Sequence, residues 1–177
     1  MCMSSTSVPV EEYLRTTYRP DMEYVDGELV ERHVGEHWHS RLQTLVVLEL
    51  GPRERERGFR VLTEQRVRVL GTKHRYRIPD VCVMALPYHA EPVLATPPHL
   101  IIEILSPDDE TADTLARVAD YLRFGVSHIW IADPYRRTVQ EADREGIRYC
   151  ADLVLQTELV GRVDFKDLFA RLDESTE

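Results

Sequence analysis

The chain has 177 residues, of which 43% are hydrophobic and 30% are charged, and its formal net charge is −9. This composition is typical of an ordinary globular protein that is long enough to bury a core. No apolar stretch approaches the roughly 20 residues that a membrane-spanning helix needs, and the N-terminus lacks the basic and apolar regions of a secretory signal peptide. The three cysteines have no spacing typical of a metal site, and their odd number argues against a disulfide framework. We therefore expect a cytoplasmic protein with no membrane partner.

Positive and negative charges are separated along the chain. Residues 51–77 contain eight Arg and one Lys against three Glu, which gives a local charge of +6. Residues 101–177 contain nine basic and seventeen acidic side chains, which gives a local charge of −8. A net negative charge disfavours nucleic-acid binding, because affinity depends on the neutralisation of phosphates. The basic segment leaves phosphate binding open, although such arginines also commonly form a solvated surface.

Hydrophobic periodicity and turn signals predict the elements in chain order. Residues 8–17 favour a short helix, and Asp26-Gly27 predicts a hairpin over 24–30. Apolar residues at helical spacing predict a second helix over 36–50. The later elements are strands over 59–62, 65–70, 78–84 and 100–105, a helix over 106–124, a strand over 128–132, a hairpin of 138–141 with 147–150, a strand over 153–159 and a helix over 164–172.

The order strand, helix, strand over 100–132 implies a crossover connection and parallel pairing. The predicted fold class is therefore α/β, with a mixed sheet flanked by helices. We expect one domain over 1–177, with an N-terminal helix in 1–17, a core in 18–139 and a C-terminal hairpin, strand and helix in 140–177.

Two carboxylates interrupt apolar strand patterns, namely Asp80 in the run 78–84 and Glu103 in the run 100–105. A buried carboxylate is costly, so it needs a partner, a raised pKa or a metal ion. Two such residues on consecutive strands suggest one shared divalent cation, and oxygen ligands suit Mg²⁺. The backbone carbonyl of Ile104 would supply a further ligand.

Each of these residues also has a plainer interpretation. Asp80 could cap a turn after Pro79, and Glu103 could form a buried ion pair with Arg117. The histidines His33, His37 and His39 have no spacing typical of a structural zinc site, and polar residues at a helix start explain them more simply.

Six segments in order support a more specific interpretation, and together they cover about 18–139. They are 23–30, His39 with the helix that it opens, 78–81, 102–107, 121–126 and 129–134. This pattern resembles the PD-(D/E)xK nuclease superfamily, and more closely its Uma-two branch of restriction-endonuclease-like proteins. The resemblance implies a restriction-endonuclease-like core and hydrolysis of DNA phosphodiester bonds with Mg²⁺ or Mn²⁺. Asp80 and Glu103 would be the metal carboxylates, with Glu28 as a third acidic contributor.

The sequence departs from the resembled family at the lysine. The superfamily usually has Lys two residues after the Glu, where this chain has Leu105. The Uma-two branch tends to carry a Lys in the following helix, at the position of Arg117. Arginine can stabilise anionic oxygens, but its very high pKa makes it a poor proton carrier. Lys73 is a substitute that nothing in the sequence places near the site, and Arg117 could alternatively pair with Asp113, four residues earlier.

Two functions from different classes therefore remain open. One is a metal-dependent endonuclease, in which Arg117 replaces the missing lysine. The other is a nuclease fold without turnover that serves as a nucleic-acid-binding or assembly module, and the presence of Arg117 in place of the lysine keeps this function open. Independently of this choice, Glu28 could be a plain exposed hairpin residue. A homodimer is expected in the first case, because cutting both strands of a duplex often uses two copies of one site.

Overall fold

The computed structural model describes residues 7–32, 36–69, 71 and 74–174. The helices are α1 (Val10–Arg15), α2 (His37–Leu50), α3 (Glu54–Arg57), α4 (Thr111–Phe124) and α5 (Phe165–Asp173). The strands are β1 (Met22–Val25), β2 (Glu28–Glu31), β3 (Phe59–Thr63), β4 (Val67–Arg68), β5 (Arg75–Arg77), β6 (Val81–Ala85), β7 (Leu100–Ile104), β8 (His128–Asp133), β9 (Thr138–Asp143), β10 (Gly146–Tyr149), β11 (Val154–Thr157) and β12 (Gly161–Asp164). Within these ranges, no helix is long and apolar enough to cross a membrane.

The central sheet has the strand order β10-β9-β8-β7-β6-β3. Strands β7 and β8 are parallel, and α4 connects them. The other neighbouring pairs in this sheet are antiparallel. The structure therefore confirms the predicted α/β class and the mixed sheet, including the parallel pair that the strand, helix, strand order implied.

Successive side chains of β6 and β7 point to opposite faces of the central sheet. Both faces are therefore apolar, and helices cover each of them. Val83 and Ile102 belong to a core that includes buried residues of α2 and α5. Cys82 and Ile101 belong to a second core, which includes buried residues of α4. The second face is the one on which the candidate site is built.

A second sheet has the strand order β2-β1-β5-β4 and includes the hairpin predicted at Asp26-Gly27. Tyr13 of α1, Tyr24 of β1 and Tyr76 of β5 form its aromatic core. The ring centroids of Tyr13 and Tyr24 are 5.0 Å apart. Strand β5 leads directly into the segment that contains Asp80, so this sheet fixes where the candidate site begins.

Several predicted elements differ in extent, and β5 was not predicted. Two of the differences have a clear local cause. The helix expected from Ser106 begins at Thr111, because residues 106–110 form a loop in which Asp109 accepts a hydrogen bond from the Ser106 N–H at 2.7 Å. The strand expected over 153–159 is the first arm of the hairpin β11–β12. The sequence shows no strong turn dipeptide there, and the turn instead uses Gly161 at a φ of +77°.

Candidate active site

Asp80 and Glu103 lie at the same end of the paired strands β6 and β7, which are interior strands of the central sheet. Strands β6 and β7 pair with Val81 opposite Ile102, so Asp80, one residue before β6, comes opposite Glu103. Residues directly opposite in an antiparallel pair project to the same face. The exposed fractions of Asp80 and Glu103 are 1% and 2%, so both carboxylates are buried.

The Asp80 carboxylate is held by three groups from three segments. It forms an ion pair with Arg32 and accepts a hydrogen bond from the Ile104 N–H at 2.7 Å. The His39 Nε2 atom, on α2, lies 3.3 Å from Asp80 Oδ1. Burial alone would raise the pKa of Asp80, but the contacts with His39 and Arg32 outweigh it and hold that pKa below its ordinary value.

Glu103 has a different environment, and its pKa moves the other way. The Tyr121 hydroxyl donates to Glu103 Oε1 at 2.5 Å, and Arg117 Nη1 lies 3.6 Å from Oε2. Burial, followed by repulsion from Asp80, raises the pKa of Glu103 to about 7. The two neighbouring carboxylates therefore differ in charge state near neutral pH, with Asp80 ionised and Glu103 partly protonated.

Arg117 projects from α4 toward three carboxylates. Its guanidinium lies 3.6 Å from Glu103 Oε2, 3.4 Å from Asp109 Oδ1 and 3.9 Å from Glu23 Oε2. It thus faces the candidate site rather than Asp113, which was the alternative partner in the sequence. The sequence-predicted pair of Glu103 and Arg117 is one part of this cluster.

The β1–β2 hairpin contributes a different acid from the one predicted. Glu28 lies on β2 opposite Val25, and its side chain is exposed. The described residues that border the candidate site do not include Glu28, which fits its alternative interpretation as a solvated hairpin residue. The buried acid of the hairpin is Glu23, with 1% exposure. Lys73 and His33 lie outside the described residues.

Glu23 belongs to a buried network of alternating charges. Arg77 donates to Glu23 Oε2 at 2.6 Å and to Asp120 Oδ2 at 2.9 Å. The Ile78 N–H donates to Glu23 Oε1 at 2.9 Å, and Arg75 donates to Asp120 Oδ1 at 2.9 Å. The network ties β1 and β5 of the second sheet to α4, which carries the arginine of the candidate site.

A small polar cleft opens beside these groups. Its lining is formed by Arg32, His39, Asp80, Ile104, Ser106, Asp109 and Arg117. Glu103 lies behind this lining and contacts the cleft through Arg117. The cleft thus offers carboxylate oxygens that suit a cation and guanidinium groups that suit a phosphate.

The donor set fits a hard divalent cation such as Mg²⁺ or Mn²⁺, because two buried carboxylates on neighbouring strands converge on one site. Ile104 lines the cleft, and in this arrangement its N–H contacts Asp80. Arg32 pairs with Asp80 Oδ1, so a cation and Arg32 would compete for that oxygen. The Arg32 side chain is 15% exposed, so it has a route to solvent.

Sequence reasoning did not assign a role to Glu23, Arg32, Asp109 or Tyr121. Glu23 and Tyr121 lie inside segments that carry the family resemblance, and an acid within a strand pattern beside Tyr24 was an available signal. Arg32 and Asp109 lie outside helices and strands, where no periodicity marks a buried position. His39, which also belongs to the resembling segments, does reach the cleft.

The arginines of residues 51–77 do not form one free basic surface. Arg77 is buried in the ion network, and Arg75 pairs with Asp26. Arg53 pairs with Glu49 on α2. The local charge of +6 is therefore partly neutralised inside the fold, and it is a weaker indication of phosphate binding than the sequence suggested.

Comparisons with known proteins show the family and the fold. The sequence profile of a family described as "Uma2: Putative restriction endonuclease" matches residues 10–165. A crystal structure described as a putative nuclease belonging to DUF820 from Anabaena variabilis superimposes with a TM-score of 0.80 and 22% sequence identity, over 93% of this chain and 99% of that chain. This likeness shows the fold.

A second solved structure, described as a DrdV–DNA complex studied by cryo-EM, aligns with a TM-score of 0.41 and 15% identity. The alignment covers 77% of this chain and 13% of that chain, and this weak likeness carries no argument. No curated protein matches the chain.

Proposed function

Because the chain belongs to the Uma2 family of putative restriction endonucleases, we propose that it is a metal-dependent endonuclease that hydrolyses phosphodiester bonds in DNA. The observation that carries this proposal is that buried Asp80 and Glu103 lie at the same end of the paired strands β6 and β7, beside Arg117. Burying two acids side by side is unfavourable unless nearby positive charges compensate them. A buried acid pair is therefore a candidate functional site.

Asp80 and Glu103 would hold a Mg²⁺ or Mn²⁺ ion, with the backbone of Ile104 beside them. When bound, such an ion neutralises charge on the phosphate and lowers the pKa of a bound water. The protein contributes a rigid frame, because the two acids lie at the ends of paired strands. Asp80 supplies an ionised carboxylate at neutral pH, since its contacts with His39 and Arg32 hold its pKa below the ordinary value.

Arg117 would act as a fixed positive charge that orients and stabilises a bound phosphate. Its guanidinium lines the cleft and is held by Asp109 on one side and by Glu103 on the other. Arginine keeps its proton at all ordinary pH values, so it stabilises charge without transferring a proton. Arg32 would offer a second guanidinium to the phosphate once it leaves Asp80.

One arrangement favours the second candidate function, a nucleic-acid-binding or assembly module without turnover. The Arg32–Asp80 ion pair already satisfies the acid that a metal would use. Leu105 also occupies the position at which the superfamily usually has its lysine. A protein of this kind would bind DNA without cleaving it and would gain no stability from Mg²⁺.

The test is a supercoiled-plasmid nicking assay with Mg²⁺ or Mn²⁺. We expect nicking by the wild type, and at least ~10²-fold slower nicking by Asp80→Asn and Glu103→Gln, because each substitution removes a charge from the site. Glu31→Gln is the matched control, since Glu31 is exposed on β2 and lies outside the cleft. Nicking at the same rate by all four proteins would contradict the proposal.

We propose further that the protein is a C₂ homodimer when it acts on duplex DNA, since two copies of one site would address the two strands. The β1–β2 and β9–β10 hairpins are the candidate surfaces, and Tyr149 on β10 is 72% exposed. We expect light scattering at high micromolar concentration to give twice the chain mass of 20.6 kDa. A monomer mass with and without DNA would contradict the dimer.

A further inference from the structure

A second cluster of metal-ligating side chains lies at the opposite end of β7 from Glu103. His99, His128 and Glu158 each offer one ligand atom, and these three atoms lie within 4.8 Å of one another. His99 immediately precedes β7, whose last residues reach the cleft, so the two sites are about 13 Å apart along the strand at roughly 3.3 Å per residue. The cluster is therefore separate from the Asp80 cleft.

The fold brings these three residues together from distant parts of the sequence. His99 immediately precedes β7 and His128 begins the neighbouring parallel strand β8, and the centroids of their rings are 4.9 Å apart. The backbone N–H of His128 also donates a hydrogen bond to the backbone carbonyl of His99 at 3.2 Å. Glu158 comes from the turn between β11 and β12 and reaches over both rings.

Each histidine has one ring nitrogen facing the glutamate. His99 Nδ1 lies 3.8 Å from Glu158 Oε1, and His128 Nε2 lies 3.4 Å from Glu158 Oε2. In a tetrahedral zinc site with bonds of about 2.0–2.1 Å, neighbouring ligand atoms are about 3.3 Å apart. The two histidine–glutamate separations are near that value, and the two histidine nitrogens lie within 4.8 Å of each other. The Glu158 side chain is 76% exposed, so it can move to close the remaining gap.

The other ring nitrogen of each histidine has an outer partner. His99 Nε2 lies 3.0 Å from the Thr157 hydroxyl, which also accepts the Val160 N–H at 3.1 Å. His128 Nδ1 lies 3.8 Å from Glu141 Oε1 on β9. A hydrogen-bonded outer partner such as Thr157 fixes the tautomer and the orientation of a metal-binding histidine. The Glu141 carboxylate lies on the corresponding side of His128, beyond hydrogen-bond distance.

We propose that His99, His128 and Glu158 form a Zn²⁺ site. Two imidazoles and one carboxylate are a donor set that suits zinc, and three protein ligands leave the fourth tetrahedral position to water. The ion would fasten the turn between β11 and β12 to the start of the parallel strands. This site does not depend on the proposed endonuclease activity.

The test is a titration of the full chain with Co²⁺, a spectroscopic substitute for Zn²⁺ whose tetrahedral complexes absorb strongly in the visible range. We expect one equivalent to bind to the wild type with this spectrum, and Zn²⁺ to displace it and raise the Tm. Glu158→Gln and His128→Asn should each weaken binding by at least ~10-fold, because each removes a ligand. Glu158 is exposed, so its substitution does not threaten the fold.

His89→Asn and Asp80→Asn are the matched controls. His89 is an exposed histidine outside the cluster, and Asp80 belongs to the other site. Both variants should keep the tetrahedral Co²⁺ spectrum, and His89→Asn should also keep the Tm gain. The proposal is overturned if the wild type gives no tetrahedral spectrum, if Glu158→Gln and His128→Asn bind as tightly as the wild type, or if Asp80→Asn abolishes the spectrum.

Discussion

Replacing Arg77 by Met is expected to lower the free energy of unfolding by about 3–5 kcal/mol, the usual cost of removing one partner from a buried ion pair. The Arg77 side chain is 6% exposed and bonds both Glu23 and Asp120. Each of these acids is 1% exposed. Without Arg77, Glu23 keeps the Ile78 N–H and a distant Arg117, so its charge is left largely uncompensated in the core.

Arg123→Met is the matched control for this prediction. Arg123 contacts the same acid, with its Nη1 atom 3.2 Å from Asp120 Oδ1, but its side chain is 48% exposed. An exposed ion pair contributes about 0–1 kcal/mol, so this variant should remain close to the wild type. Urea unfolding followed by circular dichroism measures both. Equal, small effects of the two substitutions would mean that the buried network does not hold α4 against the second sheet.

The second large effect is expected at Arg117 and concerns catalysis. Arg117→Ala should reduce plasmid nicking by about 10²-fold or more, in the range found when one charge-stabilising donor is removed from an active site. Arg117→Lys should retain or increase nicking, because lysine keeps the positive charge and is the group that the resembled family usually has. The assay uses supercoiled plasmid with Mg²⁺ and, separately, with Mn²⁺.

Arg123→Met again serves as the control, since Arg123 lies on the same helix but does not line the cleft. It should nick at the wild-type rate. Unchanged rates for both Arg117 variants would show that Arg117 only neutralises Glu103 and Asp109. DNA binding without cleavage by every form, including the wild type, would instead favour the binding module.

The fold was predictable where the sequence carries local signals. Asp26-Gly27 predicted the first hairpin, and the strand, helix, strand order over 100–132 predicted the parallel pair β7–β8. The pairing of β11 with β12 was missed, because its turn residues resemble a continuing strand. The expected division of the chain over 1–177 into one domain with terminal extensions stays a prediction, as does the cytoplasmic location.

The candidate site was only half predictable, for a physical reason. Asp80 and Glu103 were visible because a carboxylate in an apolar run is an anomaly. Arg32 and Asp109 reach the cleft from loops, where sequence periodicity gives no orientation. For the acid of the first hairpin, Glu28 was the choice from the resemblance, whereas the folded chain buries Glu23 together with its neighbour Tyr24 and leaves Glu28 exposed.

The histidine cluster could not be found from the sequence. His128 follows His99 by 29 positions and Glu158 follows His128 by 30, so the three residues form no ligand-spacing motif. Their proximity depends on the parallel register and on the β11–β12 turn, which are properties of the folded chain.

We expect Asp80 and Glu103 to hold a divalent cation, and a Mn²⁺ titration followed by electron paramagnetic resonance can measure this binding. Free Mn²⁺ gives a strong signal that is lost on binding. Using Glu158→Gln as the background removes the contribution of the histidine cluster. We predict that Glu158→Gln binds one Mn²⁺ per chain, and that adding Asp80→Asn or Glu103→Gln to it abolishes this binding. Equal Mn²⁺ binding by all three proteins, or none by any of them, would contradict a cation site at Asp80 and Glu103.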